Sequence, residues 1–155
     1  MIRFRFVESI AASPDAVFAV MSDINRFEEW LAMDGRPRGE GPVGVGARFD
    51  STSRLGPWKV EAEGEVTHYE PGHRMGFRLT GRNSIDFETD IRLEASGRGT
   101  TMTGTGWLQT HGRWRLLEPI LRMELEKGEA AEARRLKAIV EAAEAARPAP
   151  VGAGW

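Results

Sequence analysis

The chain has 155 residues, of which 21 are basic and 23 acidic, for a formal charge of -2; the field that gathers phosphates is missing, so nucleic acid is not expected as a partner. Cysteine is absent, which excludes disulfide staples and thiolate metal sites and fits a reducing compartment. The opening Met1-Ile2-Arg3-Phe4-Arg5-Phe6 alternates instead of forming an apolar signal region, and no stretch approaches the roughly 20 apolar residues of a bilayer span, so a soluble cytoplasmic protein is expected.

Residues 2–10 carry Ile2, Phe4, Phe6 and Ile10 on one parity and Arg3, Arg5 and Ser9 on the other, the period of a half-buried strand. Ser13-Pro14-Asp15 then supplies a capping hydroxyl, a proline for the first helical position and an acid for the first turn. A short helix should follow with Val17, Phe18 and Met21 inward. Phe27, Trp30 and Leu31 recur at helical spacing and predict a second short helix over 25–33. The Gly/Pro-rich run 35–46 reads as a loop. Five strands are predicted next, over 47–55, 58–70, 74–81, 84–95 and 100–111, separated by Gly56-Pro57, Pro71-Gly72, Gly81-Arg82-Asn83 and Gly97-Arg98-Gly99. Such short links make sequential antiparallel neighbours. Trp58, Val60, Ala62, Gly64 and Val66 share one parity, while Lys59, Glu61, Glu63 and Glu65 belong to solvent.

From Arg113 to Arg147, Leu117, Leu121, Leu125, Leu136, Ile139 and Val140 recur near helical period, predicting one helix of roughly 50 Å. Its outer face is expected to pair Arg122 with Glu126, Glu132 with Arg135 and Lys137 with Glu141, each contact worth a few tenths of a kcal/mol. Gly128 falls mid-helix, where it costs about 1 kcal/mol relative to Ala. Pro148-Ala149-Pro150 should end the helix, leaving a single domain over 1–147 and a flexible tail over 148–155.

This order of elements resembles the SRPBCC superfamily, which includes START lipid-transfer domains, birch-pollen allergens, plant hormone receptors and polyketide cyclases. Local wording is similar as well: Ile10-Ala11-Ala12-Ser13-Pro14-Asp15-Ala16-Val17-Phe18, Phe27-Glu28-Glu29-Trp30 and Val43-Gly44-Val45-Gly46-Ala47-Arg48-Phe49. The stretch from Gly64 through His73 to Met75 resembles a hairpin of the polyketide cyclase/dehydrase branch. The resemblance covers about residues 2–145 and implies an α+β helix-grip fold, with a curved antiparallel six-stranded sheet wrapped around the long C-terminal helix. It also implies a cavity between the two.

Parity then nominates a wall for a small hydrophobic ligand: Trp30, Phe49, Ser51, Trp58, Val60, Ala62, Met75, Phe77, Leu79, Phe87, Thr89, Met102 and Leu108, with Leu117 and Leu121 from the helix. Almost none is charged, as an apolar pocket requires, although the same alternation would serve a solid core equally well. Gly64, Gly104 and Gly106 on the inward parity favour open space.

Little in the sequence points to chemistry. Gly39-Glu40-Gly41-Pro42-Val43-Gly44 matches a dinucleotide fingerprint in letters only, because Pro42 intervenes and a strand follows. His68, His73 and Glu70 straddle a turn where histidines are usually solvated, so no metal and no cofactor are expected. Glu8 and His111 are weak catalytic candidates: Glu8 for its place on the apolar parity of the first strand, His111 for its place where the last strand leaves toward the helix. Trp107 falls on the outward parity, at a bulge or in a homodimer contact. The leading expectation is binding or carriage of a lipid, isoprenoid or polyketide-like molecule. The alternative is a cyclase, aromatase or dehydratase, which needs an acid-base pair that the inward strand face lacks. A role through an exposed surface comes third, with no obvious apolar patch for it.

Overall fold

The structure is a computed structural model in which residues 1–82 and 84–147 are described. Asn83 of the third turn and the tail expected over 148–155 lie outside the described residues. Chain order is β1 (Ile2–Ile10), α1 (Pro14–Met21), a 3-10 turn (Ile24–Arg26), α2 (Phe27–Trp30), β2 (Arg36–Pro37), β3 (Arg48–Leu55), β4 (Trp58–Glu70), β5 (Arg74–Gly81), β6 (Ile85–Ser96), β7 (Gly99–Thr110), a second 3-10 turn (Gly112–Leu117) and α3 (Glu118–Ala145). The strands form one antiparallel sheet in the order β1-β7-β6-β5-β4-β3-β2, curved around α3 in the α+β helix-grip manner. Tight turns link β3 through β7 as sequential neighbours; Gly56 and Gly97 supply the positive φ (58° and 59°) that such turns demand.

The sheet has seven strands, not six. The additional β2 lies within the run expected to be loop and pairs Arg36 with Asp50 and Pro37 with Phe49. Proline is tolerated there because the strand is an edge, and the Arg38 guanidinium beyond it bonds Asp50 and Glu63. The second short helix is also briefer than its spacing predicts: a 3-10 turn leads into Phe27–Trp30, and Leu31 is already extended (φ -91°, ψ 155°). Residues 31–34 instead run beside β3, with Arg54 N–H donating to the Ala32 carbonyl (2.8 Å) and Thr52 N–H to the Asp34 carboxylate (2.8 Å).

The long helix begins at Glu118 and not at Arg113. Pro119 stands in its first turn, a favoured site for proline, and the residues before it form the 3-10 turn. Leu117 and Leu121 keep their spacing either way, which is why periodicity carried the helix too far. Of the three ion pairs expected on its outer face, Lys137 with Glu141 (3.7 Å) is present; among the described residues Arg122–Glu126 and Glu132–Arg135 are not.

Two contacts fix the C-terminal half of α3 to the end of β1: Lys137 Nζ donates to the Ser9 carbonyl (2.6 Å), and Glu141 Oε1 accepts the Ala11 N–H (2.9 Å). Ser13 caps α1 by accepting the Ala16 N–H (3.2 Å). In β4 the ladder shifts between Val66 and His68, so Tyr69, opposite Met75, turns inward against Phe18. Trp107 stays in regular register between Arg3 and Glu88, without a bulge.

Buried apolar side chains fall into two clusters. The larger joins α1, α2 and the C-terminal half of α3 (Leu136, Val140) to Phe49, Met75, Phe77 and Met102. The smaller joins the start of α3 (Leu121, Leu125) to Ile2, Val60, Ile85 and Leu108. Among the described residues no helix is long and apolar enough to cross a membrane.

Candidate functional site

The two clusters part midway along α3, where the row Leu121, Leu125, Leu136 and Val140 is interrupted by Gly128, Glu129 and Glu132. These positions continue the core-facing row by steps of three and four. A side chain at Gly128 would meet nothing within 4 Å. The gap is a cavity of about 350 Å³, within the range that small-molecule sites occupy.

The sheet side of this cavity is Phe6 from β1, Val60 and Ala62 from β4, Phe77 and Leu79 from β5, Ile85, Phe87, Thr89 and Ile91 from β6, and Leu108 from β7. Trp30, Leu31, Ala32 and Met33 close one flank, and Ser53, Arg54, Leu55 and Gly56 of the β3–β4 hairpin another. The helix contributes Glu124, Leu125, Lys127, Gly128, Glu129, Ala131, Glu132 and Arg135. Arg54, Gly56, Lys127 and Arg135 are exposed and mark the rim between hairpin and helix.

Of the residues nominated from parity, the structure puts Trp30, Val60, Ala62, Phe77, Leu79, Phe87, Thr89 and Leu108 on the cavity wall. The others lie away from it. Phe49 is buried edge-on to Phe27 and Phe77; Met75 and Met102 belong to the larger cluster. Trp58 packs edge-on to Trp114 beside Leu117 and Leu121 in the smaller one. Ser51 is buried with its hydroxyl unpartnered among the described residues.

The inward glycines do not open space, contrary to expectation. Each lies under an aromatic ring from the residue opposite it in the ladder: Gly64 under Phe49, Gly104 under Phe6 and Gly106 under Phe4. A Cβ there would come within 2.1–2.4 Å of those rings or of the Glu88 carbonyl. Glycine lets the ring lie flat on the backbone, so these positions are filled. Gly128, with Gly56 at the rim, borders the cavity instead.

Neither catalytic candidate reaches the cavity. Glu8 lies 3.5 Å from Lys137 Nζ, and His111 Nε2 lies 2.8 Å from Asp86 Oδ2. His68 Nδ1 is engaged with the Thr67 hydroxyl (3.1 Å). One patch was also not foreseen: Leu116, Ile120 and Met123 are exposed (84%, 48% and 57%) at four- and three-residue steps across the second 3-10 turn and the start of α3.

Besides Glu124, the helix side of the wall carries Glu129 and Glu132 where the apolar row is interrupted, and sequence reasoning missed them. Glu132 Oε1 accepts the Ala32 N–H (3.2 Å), while Arg135 Nε donates to the Trp30 carbonyl (3.0 Å), so α3 is laced to the flank of the cavity by two polar bonds. Burial pushes Glu129 up to about 9, reinforced by the neighbouring charge of Glu132. Burial pushes Glu132 up to about 7, held back by the Ala32 N–H and by Arg135. Burial thus favours the protonated form of both carboxyls, at Glu129 more than at Glu132. Trp30, 2% exposed on the same wall, has its indole N–H unpartnered among the described residues. The sequence signal was available: two acids in register with Leu125 and Leu136, where an apolar row should continue.

The family described as polyketide cyclase / dehydrase and lipid transport matches residues 1–141. No curated protein sequence matches the chain. Protein TTHA0849 from Thermus thermophilus is similar in fold, with a TM-score of 0.75, 18% identity, and 91% of this chain and 98% of that one covered. The Zhui aromatase/cyclase from Streptomyces sp. R1128 gives a TM-score of 0.71 at 11% identity, covering 90% and 93%. Ara h 8.0201 gives 0.68 at 12% identity, covering 90% and 97%.

Proposed function

Because the chain belongs to the polyketide cyclase/dehydrase and lipid transport family, we propose that it binds a small lipophilic molecule, of lipid, isoprenoid or polyketide-like character, in the cavity between sheet and α3. The observation that carries this is the hollow of about 350 Å³ whose wall from β1 and β4 through β7 is apolar except for Thr89. Removing a ligand's apolar surface from water there contributes about 25 cal/mol per Å², and a few polar groups suffice to orient it. Trp30, Val60, Ala62, Phe77, Leu79, Phe87 and Leu108 form the contact surface in this reading.

Fluorescence titration with the neutral probe N-phenyl-1-naphthylamine tests it. Wild type should give saturable enhancement. Gly128→Phe, which places a ring in the hollow, should weaken binding at least tenfold while the helix gains propensity. Equal affinity in the two proteins would put the probe elsewhere and remove the cavity from the proposal.

A second reading, an enzyme acting on such a molecule, is supported by one observation: two carboxyls, Glu129 and Glu132, line the cavity from α3.

A further inference from the structure

We propose that the second 3-10 turn and the start of α3 form a docking surface for an anionic lipid bilayer, with Leu116, Ile120 and Met123 entering its apolar layer and the surrounding arginines meeting lipid phosphates. These side chains lie outside the cavity wall, so their docking stands or falls apart from what the cavity holds. Six large apolar side chains are exposed among the described residues, and Leu116 (84%), Met123 (57%) and Ile120 (48%) are three of them. A fourth, Met1 (54%), is brought to the same corner, its amino group 3.7 Å from Glu118 Oε1. Steps of four, three and four from Leu116 through Ile120 and Met123 to Lys127 set one row along the outer side of the segment, opposite the buried Leu121 and Leu125.

A contiguous exposed apolar group marks a contact site, and its surroundings select the partner. Arg113, Arg115, Arg122 and Lys127 are all exposed around it, and among the described residues none of the four is ion-paired. Of the acids between 112 and 127, Glu118 is answered by the Met1 amino group and Glu124 is half-buried beside Gly56, which leaves Glu126 as the exposed one. Alongside runs an open groove lined by Trp58, Trp114 and Leu117 together with Arg82 and Arg113. Its half-buried indoles suit the headgroup layer, where a ring with an apolar body and one polar end is at home. Cations around an apolar centre match an anionic bilayer, on which insertion and charge attraction add. A second copy of the chain fits less well, because a two-fold contact of this face with itself would bring like charges together. The row ends at Lys127 on the rim of the cavity, so docking brings that rim close to the bilayer.

Co-sedimentation with vesicles of phosphatidylcholine and phosphatidylserine in equal parts, against vesicles of phosphatidylcholine alone, tests this. Wild type should bind the anionic vesicles, and more weakly as salt rises to about 1 M, where the screening length falls to about 3 Å. The triple variant Leu116→Ser/Ile120→Ser/Met123→Ser and the triple variant Arg113→Glu/Arg115→Glu/Arg122→Glu should each lower vesicle affinity by about tenfold or more. Their thermal melts without vesicles should match wild type, because the substituted side chains are exposed. Equal sedimentation of wild type with the two kinds of vesicle, or of wild type and the serine variant with the anionic ones, overturns the proposal. Light scattering that shows a wild-type dimer which the serine variant loses would give this face to a second copy and overturn it as well. Titration with N-phenyl-1-naphthylamine in the absence of vesicles reads the cavity separately: saturable probe binding by a wild type that ignores anionic vesicles ends the docking surface and leaves the binding reading intact.

Discussion

Glu129 and Glu132 tie function to stability through their protons. In the unfolded chain a glutamate titrates near about 4.3, whereas in the fold Glu129 is raised to about 9 and Glu132 to about 7. Between these values the native state holds more protons than the unfolded one, so stability falls as pH rises from about 4.3 through the folded values. Each proton contributes a slope of at most about 1.4 kcal/mol per pH unit. Thermal melts from pH 5 to pH 9 should therefore decline more steeply for wild type than for Glu129→Gln, with the variant the more stable at the alkaline end. Parallel curves would mean that the carboxyl is hydrated in the fold. Both residues escaped sequence reasoning because Glu132 and Arg135 have the spacing of a surface ion pair. Where a side chain faces is settled by what α3 docks on, and the Ala32 N–H, from a segment 100 residues away, draws Glu132 to the cavity.

At the scale of elements, glycines carry opposite meanings according to what lies above them. Gly128 faces open space, so Gly128→Ala should stabilise α3 by up to about 1 kcal/mol. Gly106 lies beneath Phe4 and against the Glu88 carbonyl, so Gly106→Ala should cost about 1–3 kcal/mol in denaturant titration. A stabilised Gly106→Ala would mean that the ring swings away freely. Strand parity was legible because alternation is local: the ranges expected for β1, β4 and β5 match the observed ones. What lies over an inward glycine is decided by the facing strand. Phe49, Phe6 and Phe4 meet Gly64, Gly104 and Gly106 only through register, which parity does not specify. The start of α3 was obscured in a different way, since leucines at four-residue steps look alike in a 3-10 turn and in an α-helix, and Pro119 was the signal that separated them.

For the whole molecule, the decisive feature is a core in two parts with α3 bridging them. The larger cluster anchors one half of the helix and the smaller cluster the other, and the polar bonds to Trp30 and Ala32 cross the gap. A ligand that fills the gap stabilises the fold by mass action, by about 2.7 kcal/mol at 100 times its dissociation constant. That there is a sheet gripping a helix was legible from element order. The position of the hollow was not, because an inward strand face reads the same whether it meets a side chain or nothing.

A fold that spans a hollow should also respond to compression. Volume enclosed in the native state and lost on unfolding makes high pressure a denaturant, with unfolding volume changes on the order of -20 to -100 mL/mol. The empty protein should unfold at lower pressure than Gly128→Phe, whose ring occupies that space, or than wild type saturated with a lipophile. The cavity would then make this domain soft under pressure, and its occupant would make it stiff.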